Sequence, residues 1–157
     1  MEVTTPGDRE IMMTREFDAP RDFVFNAFTE PELIKRWLLG PEGWSMPVCD
    51  VDLRVDGTYH YLWRNDEDGK EFGVHGVFRE IARPERIVHV EQFDEPWYPG
   101  EAHVTSTFLE RDGSTAYTMT IRFESQEARD QALESGMTGG VEASYDRLAG
   151  ILGLTTA

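Results

Sequence analysis

Apolar residues change their spacing twice along the 157-residue chain. Residues 10–17, Glu-Ile-Met-Met-Thr-Arg-Glu-Phe, read as an extended first strand. Asp18-Ala19-Pro20 then opens a helix, because proline fits the first helical position, where its missing N–H has no helical partner. Phe23, Val24, Ala27 and Phe28 recur at i, i+1, i+4 and i+5, one apolar face of a short helix. Pro31 opens a second short helix with Leu33, Ile34, Trp37 and Leu38 at the same spacing, and Gly40-Pro41-Glu42-Gly43 ends it.

From about residue 46 to 124 the period drops from near 3.6 to 2. Tyr59, Tyr61 and Trp63 alternate with His60, Leu62 and Arg64, and Asp66-Glu67-Asp68-Gly69 closes a hairpin. That turn sets Tyr59 opposite Gly76, Tyr61 opposite Val74, and Trp63 opposite Phe72. Asp112-Gly113 marks a two-residue turn, a strong local hairpin signal. Its register sets Phe108 against Tyr117, Ser106 against Met119, and Val104 against Ile121, with Tyr117, Met119, Ile121 and Phe123 on an apolar face. Residues 86–94 admit two phases. The connection through Ala82–Glu85 favours Ile87, His89, Glu91 and Phe93 inward, with Phe78 opposite His89, Gly76 opposite Glu91, and Glu80 on the face of Phe78.

Ser125 is placed to cap the last element by accepting an N–H of the first helical turn. Leu133, Met137, Val141, Tyr145, Leu148 and Leu152 then form one helical stripe. A helix over 126–152 would be about 40 Å long, enough to cross a sheet. Gly136, Gly139 and Gly140 weaken or kink its middle, at ~1 kcal/mol each relative to alanine, and leave space beneath it. The order is strand, two short helices, six or seven antiparallel strands, long helix. The pattern predicts an α+β fold, one domain over residues 1–157, with a curved sheet gripping the C-terminal helix.

Composition narrows the function classes. Apolar residues make up 39% with 14 glycines, an ordinary globular content. The net charge is −15 and the pI about 4.5. Such a surface repels phosphate backbones and anionic lipid, so neither nucleic acid nor membrane is an expected partner. No apolar run is long enough for a membrane helix. Met1–Arg9 lacks a basic start and an apolar signal core, so the expected location is cytoplasmic. Cys49 is the single cysteine, which excludes an intrachain disulfide and a thiolate-rich zinc site.

Several stretches carry a family likeness. They are Phe17-Asp-Ala-Pro20, Arg36-Trp-Leu-Leu-Gly-Pro41, and Cys49-Asp-Val-Asp-Leu-Arg54 leading to Gly57. Further along come Gly76-Val-Phe-Arg-Glu-Ile81 with Pro84-Glu-Arg86, then Glu91-Gln-Phe-Asp94. The last are Ser125-Gln-Glu-Ala-Arg129, Ser135-Gly-Met137 and Tyr145-Asp-Arg-Leu148. In this order and spacing the chain, over about 10–153, resembles the START-like superfamily with its helix-grip fold. Within it, the chain resembles bacterial homologues of the activator of heat-shock-protein-90 ATPase. Asp56 stands where a second glycine usually precedes Gly57, and Val90 where threonine usually precedes Glu91. The resemblance implies a cavity between sheet and helix. Relatives across the superfamily include lipid carriers, hormone sensors, aromatases and cyclases, and co-chaperone domains.

Candidate chemistry follows from the predicted faces. His60, His75 and His103 fall on the outer face, no ligand spacing is recognisable, and neither metal nor cofactor is expected. Cys49 has no histidine placed beside it, and Gly-x-Ser-x-Gly is absent. Glu91 and His89 enter an aromatic interior in the favoured phase, where burial raises a carboxyl pKa and lowers that of an imidazole. Glu91 is then open to three roles: pairing with Arg54, Arg86 or water; orienting a ligand; or acid–base work with His89. The ligand-binding candidates are Trp37, Trp44, Tyr59, Tyr61, Trp63, Gly76, Phe78, His89, Glu91, Tyr117, Met119, Met137 and Val141. Asp94–Gly100, with Trp44, is read as either a pocket rim or a plain packed loop. The leading functional expectation is non-catalytic binding of a small apolar or aromatic molecule. The alternatives are a protein-interaction module and a cyclase-, dehydratase- or hydrolase-type enzyme.

Overall fold

The computed structural model describes residues 1–98 and 100–156. Its strands are β1 (Glu2–Thr4), β2 (Glu10–Phe17), β3 (Trp44–Val51), β4 (Thr58–Asn65), β5 (Glu71–Ala82), β6 (Arg86–Phe93), β7 (Ala102–Arg111) and β8 (Ser114–Arg122). They form one antiparallel sheet in the order β1-β2-β8-β7-β6-β5-β4-β3. The meander from β3 to β8 is therefore extended by β2, which pairs with the last strand. The eighth strand is the short Glu2–Thr4 segment, which carries no period strong enough to read from sequence. The helices are α1 (Arg21–Thr29), α2 (Pro31–Trp37), α3 (Gln126–Glu134) and α4 (Met137–Thr156). Among the described residues, no helix is long and apolar enough to cross a membrane.

Turn chemistry fixes the strand register. Asp112 and Gly113 take φ of 54° and 81°, the paired left-handed geometry of a tight hairpin, and Phe108 faces Tyr117. At the β4–β5 turn the Asn65 side chain accepts the Glu67 and Asp68 N–H groups, at 2.9 and 3.3 Å. Gly69 closes the turn at φ 73°. Tyr59 then pairs with Gly76, Tyr61 with Val74, and Trp63 with Phe72. Across β5 and β6, Gly76 pairs with Glu91 and Phe78 with His89.

One expectation fails here. A bulge after Phe78 aligns Glu80 with Val88, which reverses the parity of β5. Glu80 is therefore on the exposed outer face, paired with Arg86, and not beside Phe78.

The helices also differ from the periodicity in detail. Pro20 is extended at ψ 149° and precedes α1 without entering it. Phe23 is 44% exposed, whereas Phe25 is fully buried, so the apolar face is turned by about one residue. The cause is the sheet beneath it: Phe25 meets the Phe108 ring edge-on at 5.2 Å. Phe28 stacks on Tyr117 at 4.3 Å and meets Trp37 edge-on at 4.7 Å, joining α1 to both β8 and α2. Arg147 of α4 donates to the Trp37 and Gly40 carbonyls at 3.1 and 3.2 Å, capping the end of α2.

The predicted long helix is two helices. Ser125 caps α3 as expected, accepting from the Ala128 N–H at 3.1 Å. Gly136, at φ 81°, ends that helix, because a left-handed residue cannot continue it. Gly136 and Gly139 are exposed, and Gly140 faces Pro41, so these glycines do not create the interior space.

Asp56 departs from the glycine expected there, yet it holds the left-handed φ of 67° that glycine would supply. Aspartate tolerates that region better than most residues. Gly57 beside it has no such freedom, since a Cβ would collide with the Asp52 carbonyl.

Urea unfolding of four variants tests these backbone assignments. Gly139→Ala, inside α4 with open space around it, is expected to stabilise by about 0.5–1 kcal/mol. Gly136→Ala should instead cost about 1–2 kcal/mol, because alanine at positive φ is strained. Asp56→Val is expected to cost a similar amount, while Asp56→Gly leaves stability at or above that of the parent; equal loss in both would refute the backbone explanation for Asp56.

Candidate functional site

The inner face of β4–β8 and the helices line a partly open void of about 200 Å³. Tyr59, Tyr61 and Trp63 reach it from β4, Phe78 from β5, and His89 and Glu91 from β6. Tyr117 and Met119 line it from β8, Trp37 from α2, and Met137 and Val141 from α4. Strand alternation explains the sheet residues and the four-residue helical spacing explains the α4 pair.

Two candidates lie elsewhere. Trp44 packs edge-on against Phe72, 5.3 Å away, on the far side of the Trp63–Phe72 stack. Gly76 is covered by Tyr59: a Cβ there would stand 2.6 Å from the Tyr59 ring and hydroxyl and would meet the Val90 carbonyl. Its bare Cα lets the Tyr59 ring lie across β5 and reach Glu91. The loop after β6 is pinned through Tyr98, buried between Phe93 and Phe123 at 5.9 and 5.3 Å. Pro99 of the predicted Asp94–Gly100 loop lies outside the described residues. Met137 lines both the void and an outer groove formed with Phe72, Phe93 and Trp97.

Sequence reasoning missed Phe28, Ser106 and Tyr145 as cavity-lining residues. Phe28 and Tyr145 lay on predicted apolar stripes, with no signal to separate lining a space from filling it. Ser106 was legible, since the β7–β8 register already placed it opposite Met119 on the inner face.

Most polar atoms around the void are already matched. Trp37 Nε1 donates to the Ala27 carbonyl at 3.0 Å and Trp63 Nε1 to that of Leu38 at 2.7 Å. The Ser106 and Tyr117 hydroxyls share a 2.8 Å hydrogen bond. Tyr59 donates to Glu91 Oε1 across 3.4 Å, a long contact. His89 and the Tyr61 hydroxyl make no hydrogen bond among the described residues. His89 Nδ1 is sealed in protein without a partner, which leaves Nε2 as the ring nitrogen turned to the void.

Burial governs the protonation of these groups. It pushes the Glu91 carboxyl up to about 7, against a smaller opposing effect of the Tyr59 hydroxyl. It pushes the His89 imidazole down to about 4. Tyr59 and Tyr61 are raised by the same cause. Among the described residues, no lysine or arginine lines the void. The two arginines expected as partners for Glu91 are engaged outside: Arg54 with Asp52, and Arg86 with Glu80.

The outer face behaves differently. His60 Nε2 and His75 Nδ1 meet the two Asp94 oxygens at 2.8 and 2.6 Å. Partial burial raises the Asp94 pKa, but the two imidazole contacts outweigh it and hold the carboxyl below its ordinary value. His103 is exposed on that face. Among the described residues, no group of three or more histidine, cysteine or acidic side chains is arranged to hold a metal ion. The Cys49 thiol is buried and pushed up to about 11, mainly by desolvation, so it is a poor nucleophile.

Residues 18–153 match the family profile described as Activator of Hsp90 ATPase homolog 1-like protein. A crystal structure of a Rhodobacter sphaeroides protein shares 27% identity at a TM-score of 0.90, covering 98% of each chain. A crystal structure from Nitrosomonas europaea shares 25% identity at a TM-score of 0.83, covering 97% of this chain and 99% of that one. A Mycobacterium smegmatis protein at 23% identity is alike in fold, with a TM-score of 0.86 over 97% and 96% of the two chains. No curated protein matches the sequence. With the helix-grip architecture in place, the chain belongs to the Activator of Hsp90 ATPase homolog 1-like family and has the START-like fold.

Proposed function

We propose that this protein binds a small apolar or aromatic molecule, without covalent chemistry, in the void between the sheet and α4. The observation that carries the reading is the void itself, about 200 Å³ walled almost entirely by aromatic and aliphatic side chains. Interiors are normally close-packed, so an apolar space of that size between sheet and helix stands out. An apolar cavity of ~150 Å³ is enough for benzene. This one suits a single substituted ring or a compact bicycle.

The protonation of Glu91 and His89 supports the same reading, because both groups are held where folding pays to keep them neutral. Glu91, raised from 4.5 to about 7, keeps in the folded state a proton that the unfolded chain gives up. Its contribution is fully present below pH 4.5 and is lost as pH rises through 7. His89, lowered from 6.5 to about 4, works the other way: its contribution is present above pH 6.5 and is lost as pH falls through 4. At pH 8 an ionised Glu91 costs about 3 kcal/mol. Titratable groups shifted by burial in a cleft cluster at functional sites.

A carboxyl poised at about 7 also favours a second reading, acid–base catalysis on the bound molecule. Conversion of a bound ligand over hours of incubation would select it over simple binding.

Two measurements test the proposal. Native mass spectrometry of protein purified without detergent, then mixed with a panel of one- and two-ring aromatics, should show one-to-one adducts. Val141→Phe, which fills the space from α4, should abolish them while leaving the unfolding midpoint unchanged or higher; adducts that survive this substitution would place binding elsewhere. In urea unfolding, the stability of Glu91→Gln relative to the parent should rise between pH 5 and pH 8, by up to about 3 kcal/mol. Parallel pH profiles would show that Glu91 is not a buried, neutral acid.

A further inference from the structure

Resting on that binding reading, we infer that the occupant is a neutral aromatic molecule bearing a carbonyl-type oxygen, which accepts hydrogen bonds from Glu91 and His89. The two side chains stand two residues apart on the inner face of β6, opposite Gly76 and Phe78. Tyr61 enters from β4, beside Tyr59. Among the described residues, the His89 ring, the Tyr61 hydroxyl and the second oxygen of Glu91 are left without protein hydrogen bonds once the indoles, Ser106–Tyr117, Tyr59–Glu91 and Tyr145–Met119 have been matched.

Each of them is a donor. His89 Nδ1 has no partner, and a proton there would bury an unsatisfied N–H. The proton therefore belongs on Nε2, facing the void. Glu91 accepts from Tyr59 at Oε1 and, when protonated, can present its own O–H to the occupant. The Tyr61 hydroxyl also donates. A carbonyl oxygen has two lone pairs and satisfies two such donors at once.

Other classes fit less well. A hydrocarbon would leave the donors unpaired. An anion would enter a space with no lysine or arginine on its walls, next to a carboxyl group, and would lose its hydration. A cationic amine could pair with ionised Glu91, but a buried ion pair must overcome the desolvation of both charges.

The charge state near Glu91 is simple. Facing it are His89 on its own strand, Tyr59 and Tyr61 of β4, and Tyr98 of the following loop, with Tyr117 of β8 and Tyr145 of α4 across the void. The tyrosines are all raised and His89 is lowered, so each stays neutral from pH 5 to 9. Glu91 is the group of this set that changes charge in that range.

The test compares four probes of one ring size: acetophenone, isopropylbenzene, benzoate and benzylammonium. Their affinities are measured by calorimetry at pH 6 and pH 8.5. Acetophenone is expected to bind about tenfold more tightly than isopropylbenzene at pH 6. That advantage should shrink at pH 8.5, where Glu91 has lost its donor. Glu91→Leu and His89→Leu should each lower acetophenone affinity several-fold without weakening isopropylbenzene; His89→Leu replaces an unpartnered buried ring by an apolar group, and the urea midpoint of Glu91→Leu is compared with the parent's because that change also removes the acceptor of the Tyr59 hydroxyl. Equal affinity for the ketone and the hydrocarbon, or preference for either charged probe, overturns the inference and leaves the binding reading standing. Failure of all four probes, the hydrocarbon included, overturns the binding reading along with it.

Discussion

The pairing of Tyr59 with Gly76 and of Gly76 with Glu91 is the constraint on which the interior depends. It runs across three strands, and the middle residue has no side chain. The Tyr59 ring can therefore lie over β5 and bring its hydroxyl to Glu91. Side chains alternate with a period of two, so a slip of one residue would exchange the two faces. Glu91 would then move outward and Gln92 inward. Fold and site chemistry are in this sense set by one register.

The same residue types behave oppositely on the two faces. Outside, His60 and His75 share the Asp94 carboxylate, whose pKa their contacts hold below its ordinary value. Inside, His89 and Glu91 have aromatic neighbours and no opposite charge. Desolvation then acts on each alone, pushing acid and base toward their neutral forms. In sequence the four histidines, His60, His75, His89 and His103, recur at nearly even spacing, yet His89 turns inward while the other three lie outside. Environment, not composition, makes the inner pair unusual.

The legible parts of the fold were those fixed locally. Asp112-Gly113 and Asn65–Gly69 are short turns with defined geometry, and strand parity follows from them over many residues. Glu91 and His89 could thus be placed inward from sequence. What escaped was decided by tertiary contact. The bulge at Arg79 moved Glu80 outward, and no local signal marks it. Phe25 displaced Phe23 from the buried face because β7 offers Phe108 beneath it. Gly136 ended α3 through a single left-handed residue, where sequence suggested only a kink. Trp44 read as a pocket aromatic, but the Trp63–Phe72 stack stands between it and the void.

The void persists because α4 is held from both directions. Ser144 accepts the Gly40 N–H at 2.8 Å, and Arg147 donates to the Trp37 and Gly40 carbonyls, so α4 is bound to the end of α2 and the turn after it. Arg15 of β2 meets Asp146 at 2.7 Å, tying the same turn of α4 to the sheet edge. Those contacts fix the height of the helix above the sheet. The α4 side chains that face the space are Met137, Val141 and Tyr145. Met137 follows directly on the Gly136 break and also faces the outer groove beside Trp97. Its unbranched side chain has more rotational freedom than any other wall residue on α4. Met137, at the junction of α3 and α4, is the residue that lines both the interior and the outer groove.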